Sequence, residues 1–158
     1  MSLLHPHLPP FDVSHTFRKT HDKIPFEIVH WGVERASGKS LNNGKGCWNY
    51  YIYLLESEIE NFSDFWLEPE LKEFSSGGTK YLHHDYYSSP LYNIHWHCGI
   101  TFWEGTDLIP NRRSIKIGCD YSHLYDEQRG YDTELSDVYA DVLKTISELL
   151  PLLKFKTP

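Results

Sequence analysis

Asn93-Ile94-His95-Trp96-His97-Cys98-Gly99-Ile100-Thr101-Phe102-Trp103 alternates side-chain character along its length. In an extended chain Ile94, Trp96, Cys98, Ile100 and Phe102 point one way, and His95, His97, Gly99, Thr101 and Trp103 the other. That period predicts a strand. After a connection over 105–113, Ser114 to Tyr121 alternates again, with Ile115, Ile117, Cys119 and Tyr121 on an apolar face and Lys116, Gly118 and Asp120 opposite. Two such runs in succession predict an antiparallel hairpin. With Trp103 facing Ser114, His97 sits opposite Asp120 and Thr101 opposite Lys116. A slip of one residue would set the Ile-rich faces on opposite sides, and a slip of two keeps His97 and Asp120 diagonal neighbours.

Beyond the hairpin, Thr133 to Leu150 repeats Leu135, Val138, Tyr139, Val142, Ile146, Leu149 and Leu150 at helical spacing. Asp132 or Thr133 can cap its start, and Pro151 blocks its continuation. Glu134, Asp137, Asp141, Lys144 and Glu148 fall on the side expected to face water. Upstream, Cys47 to Leu55 is rich in Trp, Tyr and Ile and reads as a strand, as does Phe26 to Trp31. Acidic residues 57–74 carry spaced apolar positions and read as one or two short helices around Pro69. Ser75-Ser76-Gly77-Gly78 is a break, and 79–92 reads as a loop that can act as a lid or pocket wall. Residues 1–23 read as an irregular arm, broken by His5-Pro6-His7 and Pro9-Pro10. The expected architecture is α+β: a mainly antiparallel sheet with a long C-terminal amphipathic helix on one face, and a single domain over 24–158.

Ser37-Gly38-Lys39-Ser40 ends like a phosphate-binding loop. The glycine needed at position 33 is Val33, however, and no helical pattern follows. An Asn-Asn-Gly turn describes the segment better.

Composition narrows the function. The chain has 158 residues and a formal net charge of −7. That charge, with adjacent basic pairs only at Arg18-Lys19 and Arg112-Arg113, argues against sequence-independent nucleic-acid binding. Three cysteines without a Cys-x-x-Cys make neither a disulfide framework nor a zinc knuckle. Cys98 and Cys119 fall on the apolar face, where a thiol stays protonated and is a poor nucleophile. No apolar run approaches a membrane span, and no signal peptide is apparent, so a cytoplasmic protein is expected. Aromatic content is 15%, enough to build a core and also to line a pocket for a flat ligand.

The candidate site gathers at the hairpin. His97 and Asp120 share a face, and Asp120-x-x-His123-x-x-Asp126 can curl two further groups to the same end. Two imidazoles and two carboxylates suit zinc, manganese or iron, and equally suit acid–base work in which an Asp orients a His. His97, Asp120, His123 and Asp126 are therefore the candidate catalytic or metal-ligating set. His95, Thr101, Trp103, Trp48, Tyr50 and His84 are candidate ligand contacts, and His83 and Asp85 can extend the site.

The same residues carry a resemblance. His97-Cys98-Gly99-Ile100-Thr101-Phe102 and Gly118-Cys119-Asp120-Tyr121-Ser122-His123-Leu124-Tyr125-Asp126 resemble a motif pair of small tailed-phage and prophage proteins. The family pattern is His-Gly-Gly-Leu/Ile-Thr-Tyr followed by Gly-Phe-Asp-x-Ala-His-x-x-Asp. His97, Gly99, Thr101, Gly118, Asp120, His123 and Asp126 match it. Cys98 stands in place of a glycine, Cys119 of a phenylalanine and Ser122 of an alanine. An upstream aromatic strand of the family looks like Trp48 to Ile52. The resemblance implies a phage or prophage accessory protein acting in the host cytoplasm, and it implies no reaction. From the site residues, two readings stay in play, metal-assisted or His/Asp-driven hydrolysis of a small phosphorylated or nucleotide-like substrate and a non-catalytic module that sequesters a nucleotide signal or blocks a host defence protein, with a virion or assembly component as a third. Self-association stays open, since the arm can exchange with a neighbour.

Overall fold

The computed structural model describes residues 14–31, 47–68, 71–75, 78–107, 112–121 and 134–157. Seven strands form one sheet: β1 (Ser14–His21), β2 (Ile24–Trp31), β3 (Cys47–Leu55), β4 (Leu71–Ser75), β5 (Gly78–Leu82), β6 (Phe102–Asp107) and β7 (Arg113–Asp120). Their order is β1-β2-β3-β7-β6-β5-β4, and every neighbouring pair is antiparallel. A single α-helix among the described residues, α1 (Leu135–Leu149), follows the sheet. The α+β class with an antiparallel sheet is as the sequence predicts.

Side-chain alternation gives the sheet two unlike faces. Phe26, Ile52, Ile117 and Trp103 stand opposite one another in a row across β2, β3, β7 and β6. Ile28, Tyr50 and Cys119 make a second row, and Leu54, Ile115, Gly105 and Tyr81 a third. Nearly all of these are buried, and with Val138, Val142, Ile146 and Leu149 of α1 they form one apolar cluster. Tyr139 of α1 packs edge-on against Phe26, so the helix covers this face at β1–β3. Trp66 covers it at the other end, in T-shaped contact with Trp103 and Tyr81.

The second face is polar and aromatic. Arg18, Glu27, Tyr51, Gly118 and Phe102 form one row; Tyr53, Lys116 and Glu104 form the next. Glu27 is 6% exposed, and a carboxylate so buried needs compensation. Arg18 Nε supplies it at 2.8 Å and Lys116 Nζ at 3.6 Å.

Several expectations change. The hairpin register is Trp103 opposite Ile117, not Ser114. That offset is odd, so it exchanges the faces of β6 relative to β7: Trp103 turns into the core and Phe102 onto the open face. Burial decides it, because Trp103 is the larger side chain and closes against Trp66. The expected strand Asn93–Trp103 begins only at Phe102. Its first part leaves the sheet through a turn in which Cys98 and Gly99 have φ of 56° and 97°. The arm expected over 1–23 is a strand from Ser14, joined to β2 by a two-residue turn with Asp22 and Lys23 both at positive φ. That mirror-image turn matches the twist of a hairpin. Residues 1–13 lie outside the described residues.

Among its described residues, the acidic stretch 57–74 holds a single 3-10 turn, Phe62–Asp64, and then the start of β4. The predicted loop at 79–92 begins as strand β5. Helix α1 has Glu134 at its N-cap in a capping box with Asp137, the Glu134 N–H donating to Asp137 Oδ2 at 2.8 Å. Asp132, Thr133 and the turn at 37–46 lie outside the described residues.

Candidate functional site

Where β7 ends, Tyr121 continues its ladder, its N–H donating to the Trp48 carbonyl of β3 at 2.8 Å. Alternation from Ile117 and Cys119 turns the Tyr121 ring to the helix side of the sheet. There His97 lies flat on it, with ring centroids 3.7 Å apart and planes 8° from parallel. The Tyr121 hydroxyl donates to Asp141 Oδ2 of α1. His95 Nε2 is 2.9 Å from the other oxygen, Asp141 Oδ1. His97 Nδ1 stands 3.9 Å from Oδ2. One carboxylate thus serves two imidazoles and a phenol.

The spacing of the chain explains the convergence. In His95-Trp96-His97 the middle residue is buried, and its indole N–H donates to the Leu91 carbonyl at 2.9 Å. Anchoring Trp96 inward sends its two neighbours the other way. On α1, Asp141, Thr145 and Glu148 recur at i, i+4 and i+7, one stripe of a helix. All three hold His95: Asp141 its ring, Thr145 Oγ1 its carbonyl at 2.7 Å, and Glu148 Oε1 its backbone N–H at 3.0 Å. The cluster stays reachable from solvent, since the side chains of His95, His97 and Asp141 are 23%, 14% and 28% exposed.

Electrostatics keep the supporting groups neutral. Burial, then the bond to Asp141, holds the Tyr121 phenol well above its ordinary range, so it remains a donor. Tyr50 is raised chiefly by burial. Burial pushes the Cys119 thiol up to about 12, which removes it as a nucleophile at neutral pH. Cys98 differs from its expected place on the apolar face: it is exposed, because its segment has left the sheet.

Of the predicted catalytic set, His97 is at the centre of the cluster. Asp120 is not opposite it: Asp120 pairs with Asn49 of β3, on the face away from Tyr121. The odd register and the early exit of 93–101 from the ladder remove the predicted pairing. His123 and Asp126 lie outside the described residues. Among the described residues no group of three or more His, Cys, Asp or Glu side chains is arranged to hold a metal ion.

Of the predicted ligand contacts, His95 joins the cluster and Tyr50 supports it from the core, with its hydroxyl 3.2 Å from the His97 backbone N–H. Trp48 is half-buried on the same face and stacks on His30 at 4.1 Å. Thr101 donates its backbone N–H to the Gly118 carbonyl at 3.0 Å. Trp103 is a core residue and cannot meet a ligand. His84 is exposed, on the segment before the 3-10 turn Tyr86–Ser88.

Tyr121, Asp141, Thr145 and Glu148 escaped the sequence reading. Asp141 and Glu148 had been given to the water-facing side of the helix. The available signal was a polar Thr145 within the apolar stripe, flanked at i−4 and i+3 by acids. Comparison with family models, with curated proteins and with solved structures finds no match to this chain.

Proposed function

We propose that the His95–His97–Tyr121–Asp141 cluster is the functional site and that it performs acid–base hydrolysis of a small phosphorylated or nucleotide-like substrate. The observation that carries this reading is the single Asp141 carboxylate shared between His95 and His97 at 2.9 and 3.9 Å. Two imidazoles on one carboxylate can carry net positive charge when both are protonated, which suits an anionic ligand on an otherwise acidic protein. The pair can also divide the two proton transfers. One imidazole takes a proton from the attacking water as its oxygen bonds to phosphorus; the other gives a proton to the leaving oxygen as the old P–O bond breaks. Asp141 orients the rings, and Tyr121 stays protonated as a fixed donor to it.

The test offers the full chain a panel of nucleoside phosphates and simple phosphate monoesters, with products read by phosphorus NMR. Turnover is expected, and His97→Ala should lower it by about 100-fold or more. Full activity in both His97→Ala and His95→Ala would sink the reading. Acid–base groups suffice for the step as written. A requirement for zinc, manganese or iron, for which His97, Asp120, His123 and Asp126 are the sequence's candidates, is read by chelator treatment.

A second reading is favoured by the two parallel aromatic pairs, His30–Trp48 and His97–Tyr121, on neighbouring strand ends. Flat faces of this kind hold a nucleobase without turnover. Ligand recovered unchanged after denaturing the complex supports that binding module. The likeness to phage and prophage proteins is compatible with either role as an accessory during infection, including a block on a host protein.

A further inference from the structure

Behind the imidazoles, two buried hydroxyls link the segment that carries them. The His97 backbone N–H points at Tyr50 Oη, 3.2 Å away. Tyr50 Oη is 2.9 Å from Thr145 Oγ1. Thr145 Oγ1 lies 2.7 Å from the His95 carbonyl and 3.0 Å from that of Asp141. Both side chains are fully buried.

The ends of this chain fix its direction. A backbone N–H only donates and a carbonyl only accepts. Thr145 therefore spends its hydrogen on a carbonyl, and Tyr50 donates to Thr145 while accepting from His97. Each hydroxyl gives one bond along this chain, and Tyr50 Oη also meets the buried Cys119 thiol. The Tyr50 ring lies nearly parallel to that of Trp96 at 5.9 Å, so the residue between the histidines is held by the same tyrosine.

We propose that Tyr50 and Thr145 are positioning residues that clamp His95-Trp96-His97 between β3 and α1 and so set where both imidazoles stand relative to Asp141. This rests on the reading of the cluster as the functional site. Both lie behind the imidazoles in the core and act through the segment that carries them. Thr145 gives its one hydrogen to the nearer carbonyl, that of His95 at 2.7 Å, while its oxygen lies 3.0 Å from the Asp141 carbonyl, so it ties an imidazole-bearing segment to the turn of helix whose carboxylate that imidazole meets. Tyr50 does the same for His97 from the sheet.

The experiment uses the full chain with Tyr50→Phe, Thr145→Val and Thr145→Ser, and reads the imidazole signals by proton–nitrogen NMR. Tyr50→Phe and Thr145→Val are expected to shift the His95 and His97 ring signals and weaken the ring-to-ring contact of His97 with Tyr121. His84, exposed and outside the relay, should not move. Thr145→Ser keeps the hydroxyl and should restore the parent spectrum. Folded variants with unchanged His95 and His97 signals would overturn the proposal. If Thr145→Val does not fold, Tyr50→Phe, which removes one oxygen, decides it alone. These readouts need no substrate, so they stand or fall apart from the hydrolytic reading. Where turnover is found, Tyr50→Phe should lower kcat by about tenfold or more with KM held.

Discussion

Tyr121 and His97 lie face to face at 3.7 Å, and the hydroxyl of the same tyrosine bonds the carboxylate that His97 approaches. Stacking and hydrogen bonding can be separated by substitution. Tyr121→Phe keeps the ring and removes the donor to an ionised acceptor, which should cost about 1.5–3 kcal/mol. Tyr121→Leu loses the aromatic contact too, adding about 0.5–1.5 kcal/mol. Urea unfolding of both variants checks the order, and equal losses would show that the ring contact contributes nothing.

The turn beneath His97 gives a prediction of opposite sign. Cys98 holds φ of 56°, a conformation that costs an ordinary L-residue roughly 1–2 kcal/mol. Cys98→Gly should therefore stabilise the fold, by less than that amount because glycine also loses more backbone freedom. Gly118 behaves in reverse. A Cβ there would stand 2.1 Å from the Tyr50 carbonyl oxygen, and backbone cannot move aside cheaply. Gly118→Ala should cost at least about 1–3 kcal/mol and disturb the sheet beside the site, read by thermal unfolding.

Alkaline conditions should unfold the protein early. Folding raises Cys119 from 9.0 to about 12 and also raises Tyr50 and Tyr121, each mainly through burial. The neutral forms are the ones the fold accommodates. Stability is then complete below the unfolded value and falls as pH rises from about 9 towards 12. Urea midpoints at stepped pH should decline over that window, and Cys119→Ala should flatten the early part of the decline. A thiol reagent at neutral pH should label Cys98 rapidly and the buried Cys47 and Cys119 only on unfolding.

At the other end of the sheet, Arg113 forks onto Glu56, with Nη2 to Oε2 at 2.8 Å and its backbone N–H to Oε1 at 2.9 Å. Its guanidinium also lies 4.7 Å from the Trp66 ring centre. Arg113→Lys keeps the charge but loses the planar fork and stack, and should cost about 1–2 kcal/mol. The Arg113 hydrogen bonds hold the Glu56 carboxyl below its ordinary 4.5. This contribution is full above that value and is lost as pH falls below it through the lowered folded value. Acid titration of Arg113→Ala should lack that component.

The sequence announced β3, β7 and α1 because burial on one side leaves a strong period of two or 3.6. It placed the strand before β7 at 93–103, whereas β6 runs Phe102–Asp107, and it assigned Phe102 and Trp103 to the wrong faces. Alternation fixes faces only relative to a register, and the register was set by Trp103 closing on Trp66, a contact far apart in sequence. His97 stands out in the sequence because histidines in a strand-like run invite chemistry. Its neighbour Asp141 does not, because an acid on a helix looks like any water-facing one until the segment that covers it is known. The expected pairing of Asp120 with His97 fails on the pleat: Asp120 follows Cys119 in sequence and so stands on the opposite face of the sheet from Tyr121.

The strand order has a kinetic consequence. β1-β2-β3 and β4-β5-β6-β7 are each neighbours in sequence as well as in space, whereas β3 and β7 meet only after the chain between them has been arranged. Among the strand pairings of the sheet this one is the most non-local, carries a large loop-closure cost and tends to form late. Tyr50 and Trp48 come from one flank of that seam and Cys119 and Tyr121 from the other. The cluster should therefore be the last region to acquire native protection during refolding, and conservative substitutions in it should quicken unfolding far more than they slow folding.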